Sequence, residues 1–378
     1  MRFTLLRSFT FLLMLLVTAL GTGCQPSSPP PDTIVIGKLY TLNPLQPEAQ
    51  AVAIQGGRFR FVGSQEEALK LADANTTVIN LDNAVGYPGL IDAHVHIAGI
   101  GSALRSVDLR SAERFSDIIE RVSTRAKALR PGTIILGTGW HQSKWSRPPE
   151  GHLEGFPTHH ALSLAVPNHP VLLEHANGHS VLLNQAAMDS LGITGDSIAP
   201  EGGVIVRLNG EPTGLLHETA IALTAPLQQY DLTTATSLVD AAQWHLLRQG
   251  ITTAHDAGAS QVDLAAQTRM AQEGSLIVRL YSMVYASDER ALEEWLARGP
   301  LLNDGDHRLA VRSIKVQADG ALGSRTAWLH APYSDAPDTR GVLTFSLEAL
   351  SDLIAKTRED NWQINVHAIG DRANSEVL

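Results

Sequence analysis

The sequence is poor in three things. One cysteine in 378 residues, Cys24, excludes an intramolecular disulfide and a cysteine-rich zinc site. There is no surplus of positive charge: 29 Lys and Arg stand against 39 Asp and Glu, a net charge of −10. That balance argues against a general nucleic-acid binder. A long hydrophobic run is also missing. Phe9–Leu20 is interrupted by Thr10 and Thr18, and it falls short of the ~20 apolar residues that a membrane-crossing helix needs. No short internal repeat is visible. What is present is 44% hydrophobic residues, which excludes a disordered or fibrous chain and suffices for a core of ordinary size. Histidine is plentiful at 15, with several set among Asp and Gly, and the chemistry is sought there.

Arg2 and Arg7 precede the apolar run, and Gly21, Thr22 and Gly23 lead from it to Cys24. This is the layout of a secretory signal. The place of the cysteine resembles the lipobox of bacterial lipoproteins, in which that residue is lipidated and becomes the new N-terminus. Gly21 stands where that family prefers Leu, with Leu20 one position earlier. The expectation is a lipoprotein signal over 1–23, then a Pro/Ser tether over 24–32 that is too stiff to pack. A lipid anchor on Cys24 would hold an exported protein to a membrane of the bacterial cell envelope, on the periplasmic side or the cell surface. A plain signal peptide with an incidental cysteine is the alternative.

From Thr33 the pattern turns to short strands: Ile34–Ile36, Ala51–Ile54, Phe59–Val62 and Thr77–Leu81, with Gly56-Gly57 as a turn. They define a small β part over 33–87. Strand and helix signals then alternate. Helices are expected at Ser116–Leu129, Leu238–Gln249, Leu264–Glu273, Ala291–Ala297 and Leu347–Arg358. Strands are expected at Ile134–Gly137, Ile251–His255, Val278–Val284, Ser313–Ala318 and Ile364–Ala368. Gly250 and Gly274 end two of the helices. Residues 141–230, rich in Pro, Gly, His and Asn, read as less regular. The alternation implies βα units around a parallel sheet, an α/β fold.

The strongest chemical motif is Asp92-Ala93-His94-Val95-His96, at the end of an apolar strand. Residues i and i+2 of a strand face one side, so the two imidazoles point together. Neutral imidazoles so paired make half a divalent-metal site. Alone the triplet is weak; two polar residues at a strand end would look the same. Further chemistry-bearing residues sit at other strand ends: His255-Asp256, Lys315 and His367. A lysine inside a buried strand is costly unless paired, neutral or modified. With a lowered pKa its free amine is nucleophilic and can take up carbon dioxide as a carbamate, whose two oxygens can bridge metals. The plainer alternative is a lysine that snorkels to pair with Asp319 or another acid.

At this point the residues resemble the amidohydrolase superfamily, in the branch that includes N-substituted formamide deformylases. The matching stretches are Pro88–His96, Asn177–Ser180, Pro212–Leu215, Gly250–Gly258, Asp319–Ala327 and His367–Ala373, in the family's order. The resemblance implies a (β/α)8 TIM-like barrel with a small N-terminal β-sandwich. It also implies one or two divalent metals, most readily zinc, held here by His94, His96, a carboxylated Lys315 and His367. The implied reaction is hydrolysis of a non-peptide carbon–nitrogen bond in a small-molecule amide such as an N-acyl or N-formyl amine, by a metal-activated water. His179 and Arg325 are candidates to bind or polarise substrate, against readings as a loop histidine and a surface arginine. Trp140 and Trp145, which flank His141, could wall a pocket or pack in the core. His159, His160 and His169 lie among prolines and read as loop residues without a ligand role.

Residues 88–378 then hold about five barrel strands, with an insertion at about 97–245. The family's sixth-strand histidine and eighth-strand aspartate, its general base, would lie beyond residue 378. The sequence is therefore expected to be the front part of a longer protein, and a barrel of five strands would leave open sheet edges. Two rivals stand beside the amide hydrolase: a non-catalytic truncated barrel with a binding role, and an ester or lactone hydrolase using the same site.

The signal reading has a direct check. Labelled palmitate should enter the wild-type protein in a bacterial host and be absent from Cys24→Ala. Equal labelling of both would dismiss lipidation at this residue.

Overall fold

The computed structural model describes residues 29–378 apart from 154, 201–202 and 323–324. Cys24, the signal and most of the tether lie outside the described residues. Among the described residues no helix is long and apolar enough to cross a membrane. The chain divides into two compact units, one ending at Gly89 and one running from Leu90 to Leu378.

The first unit holds strands β1 (Thr33–Tyr40), β2 (Glu48–Gln55) and β3 (Arg58–Gly63), helix α1 (Gln65–Leu69) and strand β4 (Thr77–Gly86). They form one sheet in the order β3-β2-β1-β4, with β1 antiparallel to β2 and parallel to β4. Gly56 and Gly57 both have positive φ, which lets β2 turn tightly into β3. Ile34, Ala51, Ala53 and Ala68 bury together, so the apolar face of the sheet closes against α1.

The second unit opens with β5 (Leu90–Val95), which passes through His96 directly into α2 (Ile97–Arg105). Next come β6 (Val107–Asp108), α3 (Phe115–Lys127), β7 (Ile135–Trp140), α4 (His160–Ala165) and β8 (Val171–His175). They are followed by β9 (Ser180–Leu183), α5 (Gln185–Leu191), β10 (Gly203–Leu208) and β11 (Glu211–Glu218). The six strands make one sheet in the order β10-β11-β9-β8-β7-β6. This corrects the reading of residues 141–230 as irregular. The reason is burial on both faces. Leu173 and Leu182 pack toward Ile118 and Val122 of α3. Leu172 and Leu183 pack the other way, toward Met188 and Leu216. Such strands are short unbroken apolar runs, and without alternation they carry no period to read.

After α6 (Ala225–Gln228) and α7 (Leu232–Arg248) comes β12 (Ile251–Ala259), then α8 (Gln261–Gln272), β13 (Arg279–Tyr285) and α9 (Glu289–Arg298). The chain continues with β14 (Leu301–Asp304), β15 (Leu309–Gln317), α10 (Leu347–Thr357), β16 (Gln363–His367) and α11 (Asp371–Val377). The sheet order is β14-β15-β13-β12-β5, with β16 also on β15. Strands β5, β12, β13, β15 and β16 are parallel to their neighbours, and the short β14 runs antiparallel to β15. These are the five strands that the sequence pattern announces, joined by helices as parallel strands require.

One face of this sheet is buried beneath helices. Val95, Ala254, Leu280, Val284, Ile314 and Val316 pack with Val239, Ala242 and Leu246 of α7 and with Leu264 and Met270 of α8. Each such side chain stabilises by roughly 2 kcal/mol on leaving water. The ends are fixed locally. Asp231 caps α7 through the Thr234 N–H, and Ser260 with Asp263 forms a capping box on α8.

Where α2 crosses α7 the approach is very close. A Cβ added to Gly101 would stand 2.2 Å from the Leu238 carbonyl oxygen, a backbone atom that cannot swing aside. Gly101→Ala should therefore lower the unfolding free energy by about 1–3 kcal/mol through overpacking, although alanine is the better helix former. Urea denaturation checks this; a midpoint equal to or above wild type would show that the helices are free to separate.

Candidate functional site

Strand parity sets the site. Val95 and Ile97 are buried in the helix-covered core. His94 alternates with Val95 in β5, and His96, in extended backbone between β5 and α2, stands between the two buried residues, so both face the opposite, open side of the parallel sheet. Their rings stand edge to face with centroids 5.7 Å apart. Ile314 and Val316 are buried in the same core, so Lys315 shares the open side with the histidines. The partly buried Val366 packs against that core too, which puts His367 on the open side. All four residues lie toward the C-terminal ends of strands that run the same way.

Electrostatics brings three of them together. The imidazole of His96 is pushed below its ordinary pKa, first by desolvation and then by the positive charges of His94 and Lys315. Lys315 is 8% exposed, and burial alone pulls its ammonium below the usual value. The strand opposite makes room for it. At Gly258, whose φ is +132°, an added Cβ would meet Tyr285 at 3.3 Å and Lys315 Cγ at 3.7 Å. The β12 end thus closes over the lysine stem, with Tyr285 Oη donating to Gln317 Oε1 at 2.7 Å beside it.

Two aspartates hold the frame. Asp256 of β12 faces the helical side and is buried. Its carboxylate accepts the Ile97 N–H at 3.2 Å and the Gln267 amide at 2.7 Å. Burial drives its pKa up to about 7 against those donors. The bond to Ile97 fixes the backbone immediately after His96. The sequence marks Asp256 only as a strand-end residue next to His255; its role in placing His96 shows only when β5 and β12 pair. His255 itself packs on Tyr281 with ring centroids 5.0 Å apart.

Asp319 is 0% exposed. Its carboxylate accepts backbone N–H groups from Trp328 (2.8 Å), Ile369 (2.9 Å) and Gly370 (2.7 Å). This corrects the alternative in which Lys315 pairs with Asp319: the carboxylate is taken up in tying the residues after β15 to those after β16. His367 stands level with Gln317 in the ladder, two positions beyond Lys315. Its Nε2 lies 3.0 Å from the Gly320 carbonyl and 3.7 Å from Asp319 Oδ1. A carbonyl can only accept, so Nε2 carries the proton and Nδ1 keeps the lone pair.

His179 and Arg325 are not joined to these four by any described contact. His179 is exposed on the β8–β9 turn, where its N–H donates to Asn177 Oδ1 at 2.8 Å. Arg325 has φ of +55° and pairs its guanidinium with Asp335 at 3.0 Å on the surface. Trp140 and Trp145 are both buried and stacked, with centroids 5.9 Å apart, so they are core residues. His159 and His169 lie outside helices and strands, as read, but are buried there. His159 meets Ser163 Oγ and His169 meets the Thr133 carbonyl. Burial brings the His159 imidazole down to about 4, and His160 begins α4.

A second imidazole group lies at the end of the other sheet. His141 and His175 have centroids 4.5 Å apart, and Phe156 bridges His175 to His217 at 6.1 and 5.5 Å. The signal for His175 is present in the sequence, since it ends the apolar run Val171–Leu173. It is lost when the region is read as irregular.

Among the described residues no three His, Cys, Asp or Glu side chains form a metal cage by themselves. The donor chemistry of the open face nonetheless fits a divalent ion. Metal ligands must be deprotonated, and the lowered pKa values of His96 and Lys315 favour the neutral imidazole and the free amine. Two imidazoles side by side supply two donors. A carboxylated Lys315 would supply the oxygen donor that the cluster lacks.

Comparison with known proteins agrees with this geometry. A model of the amidohydrolase family matches residues 77–378. A Bacillus subtilis (strain 168) protein named as an amidohydrolase, YtcJ, is 32% identical over 357 residues, which cover 90% of this chain and 64% of that protein. N-substituted formamide deformylase of Arthrobacter pascens is 31% identical over 193 residues, 50% of this chain and 34% of the deformylase. The crystal structure of an uncharacterized metal-dependent hydrolase from Pyrococcus horikoshii OT3 superposes with a TM-score of 0.74 at 26% identity, over 91% of this chain and 66% of that one. The chain thus spans less than two thirds of the length of YtcJ. A family match across some three hundred residues, on parallel strands that deliver two histidines and a lysine to one face, identifies the chain: it belongs to the amidohydrolase family.

Proposed function

We propose that the protein hydrolyses carbon–nitrogen bonds other than peptide bonds in small amides, N-acyl or N-formyl amines among them. The observation that carries this reading is the edge-to-face pair of His94 and His96, with centroids 5.7 Å apart, on the same open face as the buried Lys315. The family match and the likeness to a formamide deformylase support the substrate class. A divalent ion, zinc first, would be held by His94, His96, carboxylated Lys315 and His367. When bound, such an ion polarises a carbonyl and brings the pKa of water down to about 7.

The chain's own residues prepare for that ion. Desolvation keeps His96 neutral. The free amine of Lys315 adds to carbon dioxide, forming one N–C bond and releasing one proton, and the product is an anionic carbamate. Asp256 holds the backbone at Ile97 so that His96 keeps its direction. Asp319 holds the residues after β16, and the Gly320 carbonyl fixes the His367 tautomer with Nδ1 free to ligate. His179 and Arg325 serve in this proposal as residues that contact substrate. The pattern of residues 1–24 supports export and attachment to a membrane through Cys24.

Metal analysis and amide hydrolysis test the reading together. The protein should bind zinc, and His94→Ala, His96→Ala and Lys315→Ala should each weaken binding by at least about 100-fold. Hydrolysis of N-formyl and N-acetyl amines should fall with it. Turnover of esters or lactones alone would move the substrate class. Zinc binding without turnover of either would favour a binding protein, and unaltered zinc affinity in all three variants would discard the site.

The frame predicts a graded effect. Asp256→Ala should weaken zinc binding about 10–100-fold, as loss of a residue behind a ligand does, while circular dichroism shows a folded protein. An affinity equal to wild type would mean that His96 is placed without it.

A further inference from the structure

On the outer side of the second unit, α2, α3 and the start of α7 enclose a cleft of about 550 Å³. It starts beside Ala98 and Gly99 and reaches away from the His94 site to the far end of α2. Arg105, which lines the cleft, closes α2, whereas His96 opens it, and a helix of nine residues is ~13 Å long. Arg125, in the last turn of α3, also lines it.

The two guanidiniums differ from those of Arg110, Arg114 and Arg121. Arg110 is held by Asp108, Arg114 by Asp117, and Arg121 by the Asp108 carbonyl. Among the described residues neither the Arg105 nor the Arg125 guanidinium takes part in a hydrogen bond or an ion pair. The carboxylate in the cleft, Asp231, is already committed to the Thr234 N–H as the cap of α7. The rest of the wall combines the apolar Leu129, Ile134, Leu136, Leu227 and Leu238 with polar residues such as Ser102, Ser106, Thr133 and Gln228. Two forked cationic donors beside an apolar wall recognise a ligand with a carboxylate at one end and a hydrocarbon body at the other.

We infer that this cleft is a binding site for a small amphipathic carboxylate. The carboxylate is taken by Arg105 and Arg125, and the apolar body lies against Ile134, Leu136 and Leu238. The inference is independent of the hydrolytic reading, since neither arginine belongs to the site on the parallel sheet.

Isothermal titration calorimetry of the full chain with octanoate, and with 1-octanol as its uncharged counterpart, tests it. Octanoate should bind saturably and 1-octanol at least about tenfold more weakly. Arg105→Gln and Arg125→Gln should each weaken octanoate binding by about tenfold or more. Arg105→Lys, which keeps the charge and loses the fork, should fall between. Lys127→Gln removes a charge from the same turn of α3 outside the cleft and should leave the affinity unchanged. No saturable binding, equal binding of the alcohol, or an equal loss in Lys127→Gln would each overturn the site.

Discussion

The constraint behind the rest is the burial of Val95 and Ile97, on either side of His96, against a sheet covered on one side. Val95 and Ile97 leave water for the helical core, and the cost of reversing that burial is several kcal/mol. His94 and His96 therefore have no choice of side. The same parity acts on β15, where Ile314 and Val316 go inward and Lys315 goes out. Hydrophobic burial on one face thus assembles cationic and ligating groups on the other. The repulsion that His94 and Lys315 exert on His96 is tolerated because the strands that carry them are held elsewhere.

Asp256 shows how the two faces communicate. It lies on the helical side, yet it accepts the N–H of the residue that follows His96. Its other donor, Gln267, accepts in turn from Ser282 at 2.6 Å. A buried polar network of this kind is costly if any member is left unpaired. Here it links α2, β12, α8 and β13, the elements around the histidine pair. Asp319 does the equivalent work at the other edge by gathering three backbone amides from two connections.

The parallel sheet was legible in the sequence because its strands are separated by helices with readable ends. Gly250 and Gly274 both adopt positive φ just past a helix, as their positions suggested. The Asp92–His96 motif was legible as a period of two, and so was the face it defines. The β6–β11 sheet was not, because Leu172-Leu173 and Val181–Leu183 are buried on both sides and show no alternation. β14 is only Leu301–Asp304, too short to stand out. The role of Asp319 was hidden for a different reason. Next to a strand lysine, an acid reads as its partner, and only the return of residues 369 and 370 shows where its oxygens go. His159 and His169 were masked by neighbouring prolines, although both are buried.

The central claim is that the open face of the parallel sheet, at His94, His96 and Lys315, is where a metal ion belongs. Anomalous scattering at the zinc absorption edge, from crystals of the protein grown with zinc, tests it most directly. The account predicts a peak bounded by the His94 and His96 rings and the end of the Lys315 side chain, with density for a carbamate on that lysine. A peak found only among His141, His175 and His217, with none at His94 and His96, would contradict it.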